Sequence, residues 1–427
     1  MSLLLSGLFF SMAHAHGIWG HIHVTGWAIE NLEHPELVSL FSNPEVKNAA
    51  LFGAAFTDSG YFPFLETTSQ YSHIYSEYTH WEPFVQDYII WMQLHDPPPF
   101  DSLESQKRVA FLMGAASHGL QDEIFDSLFL QRAGEEDGSD QGNLDPACDG
   151  FLAQDGELRF FPAEDIPFAP LLDIYAALDE EIDAEIIQDS VALMVGLYVN
   201  EESGRDTAEQ LATLYGEGLD WSRSNYLNPE IPGSLQSEIY PSMYYMNSIW
   251  KRLHQEFDPK DLLISTFPEK TRTLNSIEAE SIGSWSTAIF GQGVQAGSIE
   301  IQMQSIVGSP VPISFNGTQW GADWTRLVRI YPQQDLHYDQ QYLVSLHNLH
   351  TINGETTETT GFIVHAPCQT PMSISCLELG VPKEASRKDS PIAEPEVKQS
   401  CTHIPSMTYW SWILILTGFF CLRAKKT

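Results

Sequence analysis

The sequence predicts a multidomain chain. A mainly α-helical domain, residues 16–257, precedes a small antiparallel β-sandwich of Ig-like kind, residues 285–367. Two patterns carry this reading. From Lys107 to Arg132, the apolar residues Val109, Phe111, Leu112, Met113, Leu120, Ile124, Leu128 and Leu130 recur at helical spacing, as one buried helix would require. LLDIYAALDEEI, DSVALMVGLYV and AEQLATLYGEGL, between Leu171 and Phe257, repeat the same period. From Trp285 onward, SIEIQMQSIV, WTRLVRIYP, QQYLVSLHNL and TTGFIVHAP alternate apolar and polar residues, with Gly, Asn and Pro between them.

In chain order, residues 1–15 read as a secretory signal. An apolar run, Leu3 to Met12, ends in Ala13-His14-Ala15, although no Lys or Arg stands near the start. Cleavage after Ala15 makes His16 the mature N-terminus. HGIWGHIHVTGWAIENL then opens a first helix with His21 and His23 at its beginning. A terminal amine at His16 could ligate a metal together with His21, or the stretch could simply be a disordered end. AALFGAAFTDSGYFP is a helix whose Gly53, Ala54 and Ala55 allow close packing, broken at Asp58-Ser59-Gly60. Asp58 is either a turn residue or a ligand. His80, in YSEYTHWEPF, precedes an apolar helix, Phe84 to Leu94, and by itself reads as a packing histidine.

The helix Lys107–Arg132 carries His118, Asp122 and Asp126 at i, i+4 and i+8, hence on one face. That stripe is either solvent-exposed or a metal site, since ionised carboxylates on a buried helix need a partner. Asp58, His80, His118 and Asp122 together offer nitrogen and carboxylate donors suited to zinc. The acidic, Gly-rich stretch GEEDGSDQGNLDPACDGF reads as a loop in which Asp145 and Asp149 are either solvated or join Asp126 at a further metal position. Carboxylates alone favour calcium or magnesium there.

SEIYPSMYYMNSIWKRLHQEF, in the same mostly helical stretch, is rich in Tyr and Trp that read as core rather than as a lipid-binding wall, and residues 258–284 read as a polar connector. Residues 368–408 are linker-like. Residues 409–427 form a tail in which the apolar run Trp410–Leu422 precedes Arg423, Lys425 and Lys426. That run is short for a full span and resembles the sorting tags of exported surface proteins. Cys368 and Cys376 are close enough to bridge in an oxidising compartment, whereas Cys148, Cys401 and Cys421 have no evident partners.

Lys plus Arg number 21 against 57 Asp plus Glu, a formal charge of −36. Nonspecific nucleic-acid binding needs a positive surface, so this balance argues against it. It leaves room for a metal site, because bound cations invert the local field.

Taken together, HGIWGHI, FTDSGYFP, SEYTHWEPF and VAFLMGAASHGLQDEIFDSL resemble the zinc-dependent phospholipase C family. Within it they are most similar to the N-terminal catalytic domain of the glycosylphosphatidylinositol-specific phospholipases D, and the S1/P1 nucleases share that fold. The resemblance covers residues 16–257 and implies a phospholipase C-like helical domain. It implies one metal held by the new N-terminus at His16 with His21 and Asp122. A second would be held by Asp58, His80, His118 and Asp122, with Asp122 bridging. At the third position the family places a His where Asp126 stands, and a His-x-x-x-Glu/Asp pair where Asp145 and Asp149 stand.

The expectation is an exported metal-dependent phosphodiesterase with two or three zinc ions, the third being calcium or magnesium or absent. It would hydrolyse phospholipid or lipid-anchored glycan, with Asp58 orienting or deprotonating the water. A monomer is expected, in the periplasm, on the cell surface or secreted, with membrane attachment through the tail. The alternatives are an S1/P1-type nuclease or nucleotidase, and a non-catalytic, metal-stabilised surface binding protein.

Overall fold

The computed structural model describes residues 17–61, 69–178, 182–267, 286–317, 323–334, 336 and 341–365. The signal segment, His16, the linker, the tail and the cysteines other than Cys148 lie outside them. All described residues belong to one compact unit, Met1–Pro382. Among them no helix is long and apolar enough to cross a membrane.

The N-terminal part is helical: α1 (Ile18–Glu30), α2 (Pro35–Phe41), α3 (Pro44–Phe56), α4 (Ser69–Thr79), α5 (Glu82–His95), α6 (Leu103–Ile124), α7 (Gln131–Asp137), α8 (Gln141–Asp155), α9 (Phe168–Tyr175), α10 (Ala184–Met194), α11 (Glu201–Tyr215), α12 (Asp220–Asn225) and α13 (Ile239–Leu253). The central element is α6. Ser102 caps it by accepting from Ser105 N at 3.0 Å, and it is buried from Val109 to Ile124. Its main partner is α3, and two glycines explain how close they come. A Cβ on Gly53 would stand 2.2 Å from the Phe111 carbonyl oxygen, and one on Gly114 1.9 Å from that of Ala50. Backbone therefore packs on backbone, and the end of α3 is brought against the middle of α6.

Two segments differ from the sequence expectation. The single helix read over Lys107–Arg132 is interrupted by a π-helical turn, Phe125–Leu130, which widens the coil just past Asp122. The i, i+4, i+8 stripe is therefore not carried straight through to Asp126. The acidic stretch expected as a loop is mostly helix α8. Asp140 starts it with a reciprocal capping box, accepting from Asn143 N while the Asn143 side chain accepts from Asp140 N. Asp145 and Asp149 are thus one turn apart on a buried helix face.

The C-terminal part is two antiparallel sheets, of order β1-β2-β6-β5 and β4-β3-β7-β8. The strands are β1 (Leu263–Phe267), β2 (Ser286–Gln295), β3 (Glu300–Ser305), β4 (Pro310–Val311), β5 (Ile313–Gly317), β6 (Trp324–Pro332), β7 (Gln341–His350) and β8 (Thr356–His365). Phe290, Val328, Met303, Val344, Leu346 and Phe362, drawn from both sheets, share one core. Strand β1 comes from the stretch read as connector. Strand β2 is buried at every position but the last. Ala288 and Phe290 enter the inter-sheet core while Ile289 enters the helical core, so no polar face remains to signal a strand.

Candidate metal centre

Five side chains from four places in the chain meet beside α6: His21 from α1, Asp58 just past α3, His80 just past α4, and His118 and Asp122 from α6. Their donor atoms form two overlapping groups, His21/His118/Asp122 and Asp58/His80/His118, each with its atoms within 4.8 Å of one another. Asp122 spans the two. Its Oδ1 lies 3.1 Å from His21 Nε2, and its Oδ2 lies 3.2 Å from His80 Nε2 and 3.4 Å from His118 Nε2. Asp58 Oδ1 is 3.3 Å from His80 Nε2 and 3.5 Å from His118 Nε2.

Each imidazole is oriented from its other nitrogen. His118 Nδ1 donates to the Ala54 carbonyl at 2.6 Å and His80 Nδ1 to the Ser76 carbonyl at 2.7 Å. A backbone carbonyl only accepts, so Nδ1 carries the proton and Nε2 keeps its lone pair. His21 Nδ1 stands 2.9 Å from Gln121 Oε1, whose amide nitrogen donates to Thr25 Oγ1 and Ser242 Oγ. Gln121 is thereby fixed with its oxygen toward the ring. Ser76 also accepts Gly60 N on its hydroxyl at 2.7 Å, which ties the turn carrying Asp58 to the helix that orients His80.

This donor set fits a divalent cation. His80 Nε2 and His118 Nε2 face each other at 3.2 Å. Two nitrogens bound to one tetrahedral zinc are about 3.3 Å apart, given Zn–N distances of about 2.05 Å. Without a cation, something else must sit between the lone pairs. Burial alone lowers the His80 and His118 pKa values, but the carboxylates of Asp122 and Asp58 overcome it. They hold His80 well above its ordinary value and His118 at about 9. Asp122 moves the other way: burial raises it, yet the imidazoles of His118 and His21 hold it well below the usual carboxylate range. His21 is lowered by burial and by its stacking neighbour His118, with ring centroids 3.5 Å apart.

The remaining carboxylates do not join either group. Asp149 Oδ1 accepts Gly20 N at 2.9 Å, and its carboxyl lies where a Gly17 Cβ would be. From α8 it therefore serves the amino end of α1, whose N-cap Gly17 has no side chain to do so. Asp126 is partly exposed and takes the Gln141 amide at 3.3 Å. Asp145 is buried with neither oxygen hydrogen-bonded among the described residues. Burial and the Asp122 carboxylate push Asp126 well above the usual range, burial and the surrounding carboxylates, Asp126 first, push Asp145 likewise, and burial pushes Asp149 to about 8. Glu238, the buried residue before α13, is raised well above its ordinary value by burial and by Asp122 and Asp126. It belongs to the same acidic surroundings, and nothing in its local pattern marked it. Nor did local pattern mark Gln121 or Ser242, whose roles arise only from contacts far apart in sequence, or Ser76, whose carbonyl meets His80 one helical turn on.

No family model matches the chain. The phosphatidylinositol-glycan-specific phospholipase D of Mus musculus is 31% identical over 143 residues, covering 32% of this chain and 16% of the mouse protein. The protein of that name from Bos taurus is 30% identical over 137 residues, covering 30% of this chain and 15% of its own length. The chain thus has a distant relationship to these phospholipases over about a third of itself, and matches about a sixth of theirs.

Proposed function

We propose that the chain is a zinc-dependent phosphodiesterase of the phospholipase C/D type, acting on phospholipid or lipid-linked glycan. The observation that carries this is the convergence of His21, His80 and His118, each oriented through Nδ1, on the carboxylates of Asp58 and Asp122. The distant likeness to phosphatidylinositol-glycan-specific phospholipase D supports the substrate class.

In this reading, Asp58, His80, His118 and Asp122 would hold one cation. His21 and Asp122 would hold another, and His16, the further donor expected from the sequence, lies outside the described residues. A bound divalent cation supplies positive charge to the phosphate oxygens and acidifies a water molecule. The protein's own groups do the rest. Asp122 keeps its two oxygens on different imidazoles, which fixes the spacing of the two groups. Asp58 would orient or deprotonate that water besides ligating metal. Asp122 is the most exposed of the five at 9%, whereas His118 and His21 are at 0%. Substrate therefore approaches from the Asp122 side, and the imidazoles close off the other. Asp126 and Asp145 would hold a hard third ion.

We read the two sheets as an Ig-like β-sandwich, and the protein as exported, monomeric and attached to a membrane by its tail. The test is one purified sample assayed on phosphatidylinositol, a glycan-anchored protein, phosphatidylcholine and single-stranded DNA. Release of a phosphorylated or lipid product from a phospholipid, abolished by chelation and restored by zinc, is expected. Cleavage of DNA alone would assign the site to the nucleases instead.

A further inference from the structure

We infer that Arg326, on strand β6, is a positioning residue for the His80 ligand, so that the sheets complete the metal centre. The inference rests on the metal reading above and concerns a residue outside the five-residue cluster.

Arg326 is fully buried. Its Nη2 donates to the His80 carbonyl at 2.8 Å. Its Nε reaches Glu123 Oε1 at 2.7 Å, its Nη2 stands 2.7 Å from the same oxygen, and its backbone N donates to Glu123 Oε2 at 3.1 Å. Glu123 follows Asp122 on α6. One guanidinium therefore joins the backbone of one ligand to the residue beside another. The guanidinium also lies over the Tyr245 ring, 5.6 Å from its centroid, and Tyr245 donates its hydroxyl to Glu82, two residues past His80. Gly119, beside His118, leaves the room. A Cβ there would stand 2.0 Å from the His80 carbonyl oxygen and 3.0 Å from Arg326 Nη2.

The strand is shaped for this. Val328 and Ile330 face the inter-sheet core, so regular alternation would send Arg326 there too. The β2–β6 register shifts between Ile289 and Val294, opposite this position, and Arg326 emerges into the helical core instead. Burying an arginine costs several kcal/mol, offset only where it is paired; here Nε and Nη2 are paired, and Nη1 has no hydrogen-bond partner among the described residues. Packing alone would be met by an apolar residue, whereas holding a carbonyl in place requires a fixed donor. His80 is then held at both ends: Ser76 fixes its ring, and Arg326 its backbone.

The test uses the full chain. Arg326→Met alone would strand a buried Glu123 charge and could simply unfold the protein. The informative variant is Arg326→Met with Glu123→Met, because exchanging a buried ion pair for apolar residues is often neutral or stabilising. Zinc affinity is measured by chelator competition, and ligand geometry by the visible spectrum of the cobalt-substituted protein. The double variant should melt cooperatively yet bind zinc about 10- to 100-fold more weakly, as loss of an outer-shell partner does, with an altered cobalt spectrum. Unchanged zinc affinity and spectrum in a folded double variant would overturn the inference. If the double variant does not fold, Arg326→Met with Glu123→Gln decides. It leaves no buried charge and removes the guanidinium donor to the His80 carbonyl, so wild-type affinity in it would equally overturn the inference. A wild-type chain that binds neither zinc nor cobalt refutes the metal reading itself, a result distinct from either.

Discussion

His80 and His118 present their Nε2 atoms to each other at 3.2 Å while each Nδ1 donates to a backbone carbonyl. Two lone pairs cannot share that gap unless a proton or a cation lies between them. Because His118 belongs to both donor groups and His21 to only one, their removal should differ. His21→Ala should keep the Asp58/His80/His118 group and lose part of the bound metal. His118→Ala should lose nearly all of it, exceeding the about 10- to 100-fold weakening typical of an outer-shell change. Elemental analysis of the two purified variants checks the order. Equal metal content in both would show that His118 is not shared.

The approach of α3 to α6 sets the position of the Ala54 carbonyl that orients His118. Gly114→Ala would place a Cβ 1.9 Å from the Ala50 carbonyl oxygen. Backbone cannot rotate away as a side chain does, so α3 must shift. Overpacking of this kind costs about 1–3 kcal/mol or more. The variant should melt at a lower temperature and bind zinc more weakly. An unchanged melting curve would mean that the two helices are not in such close contact.

The metal-free protein should lose stability as pH rises from about 6 to about 9. The sign follows from the direction of each shift. His118 is raised from 6.5 to about 9, so its contribution is complete below pH 6.5 and is lost as pH passes through about 9. Asp149 is raised from 3.8 to about 8, so its contribution is complete below pH 3.8 and fades as pH passes through about 8. Both act in the same direction over this range. Asp122 and His21, whose values are lowered, contribute stability that is lost only on the acid side. Zinc requires neutral imidazoles, so its stabilisation should grow over the same range. Melting temperatures with and without zinc at several pH values measure this. A metal-free protein more stable at about pH 9 than at about pH 6 would contradict the assignment of these buried protons.

What could be read from sequence was what local pattern encodes. His118 and Asp122 are one turn apart in an apolar helix, and Gly53 and Ala54 advertise close packing; both features appear as expected. The aromatic segment around Ile239–Leu253 is helical for the same reason. The losses have particular causes. Asp145 and Asp149 sit in a stretch whose Gly and Asp content resembles a loop, yet the Asp140–Asn143 capping box starts a helix there. Strand β2 is covered on both faces and shows no alternation. Arg326 lies in a segment whose alternation is otherwise regular. Only the register shift opposite it, a property of the pairing rather than of the strand, turns it toward His80.

The most direct measurement is a zinc titration of chelator-stripped protein, with bound metal and phosphatidylinositol hydrolysis followed in the same samples. Hydrolysis should be absent at the start and rise in step with zinc occupancy, and Asp122→Asn should depress both together. Protein that hydrolyses the lipid at full rate with no divalent metal bound, or that takes up no zinc at all, would contradict the metal centre built from His21, Asp58, His80, His118 and Asp122.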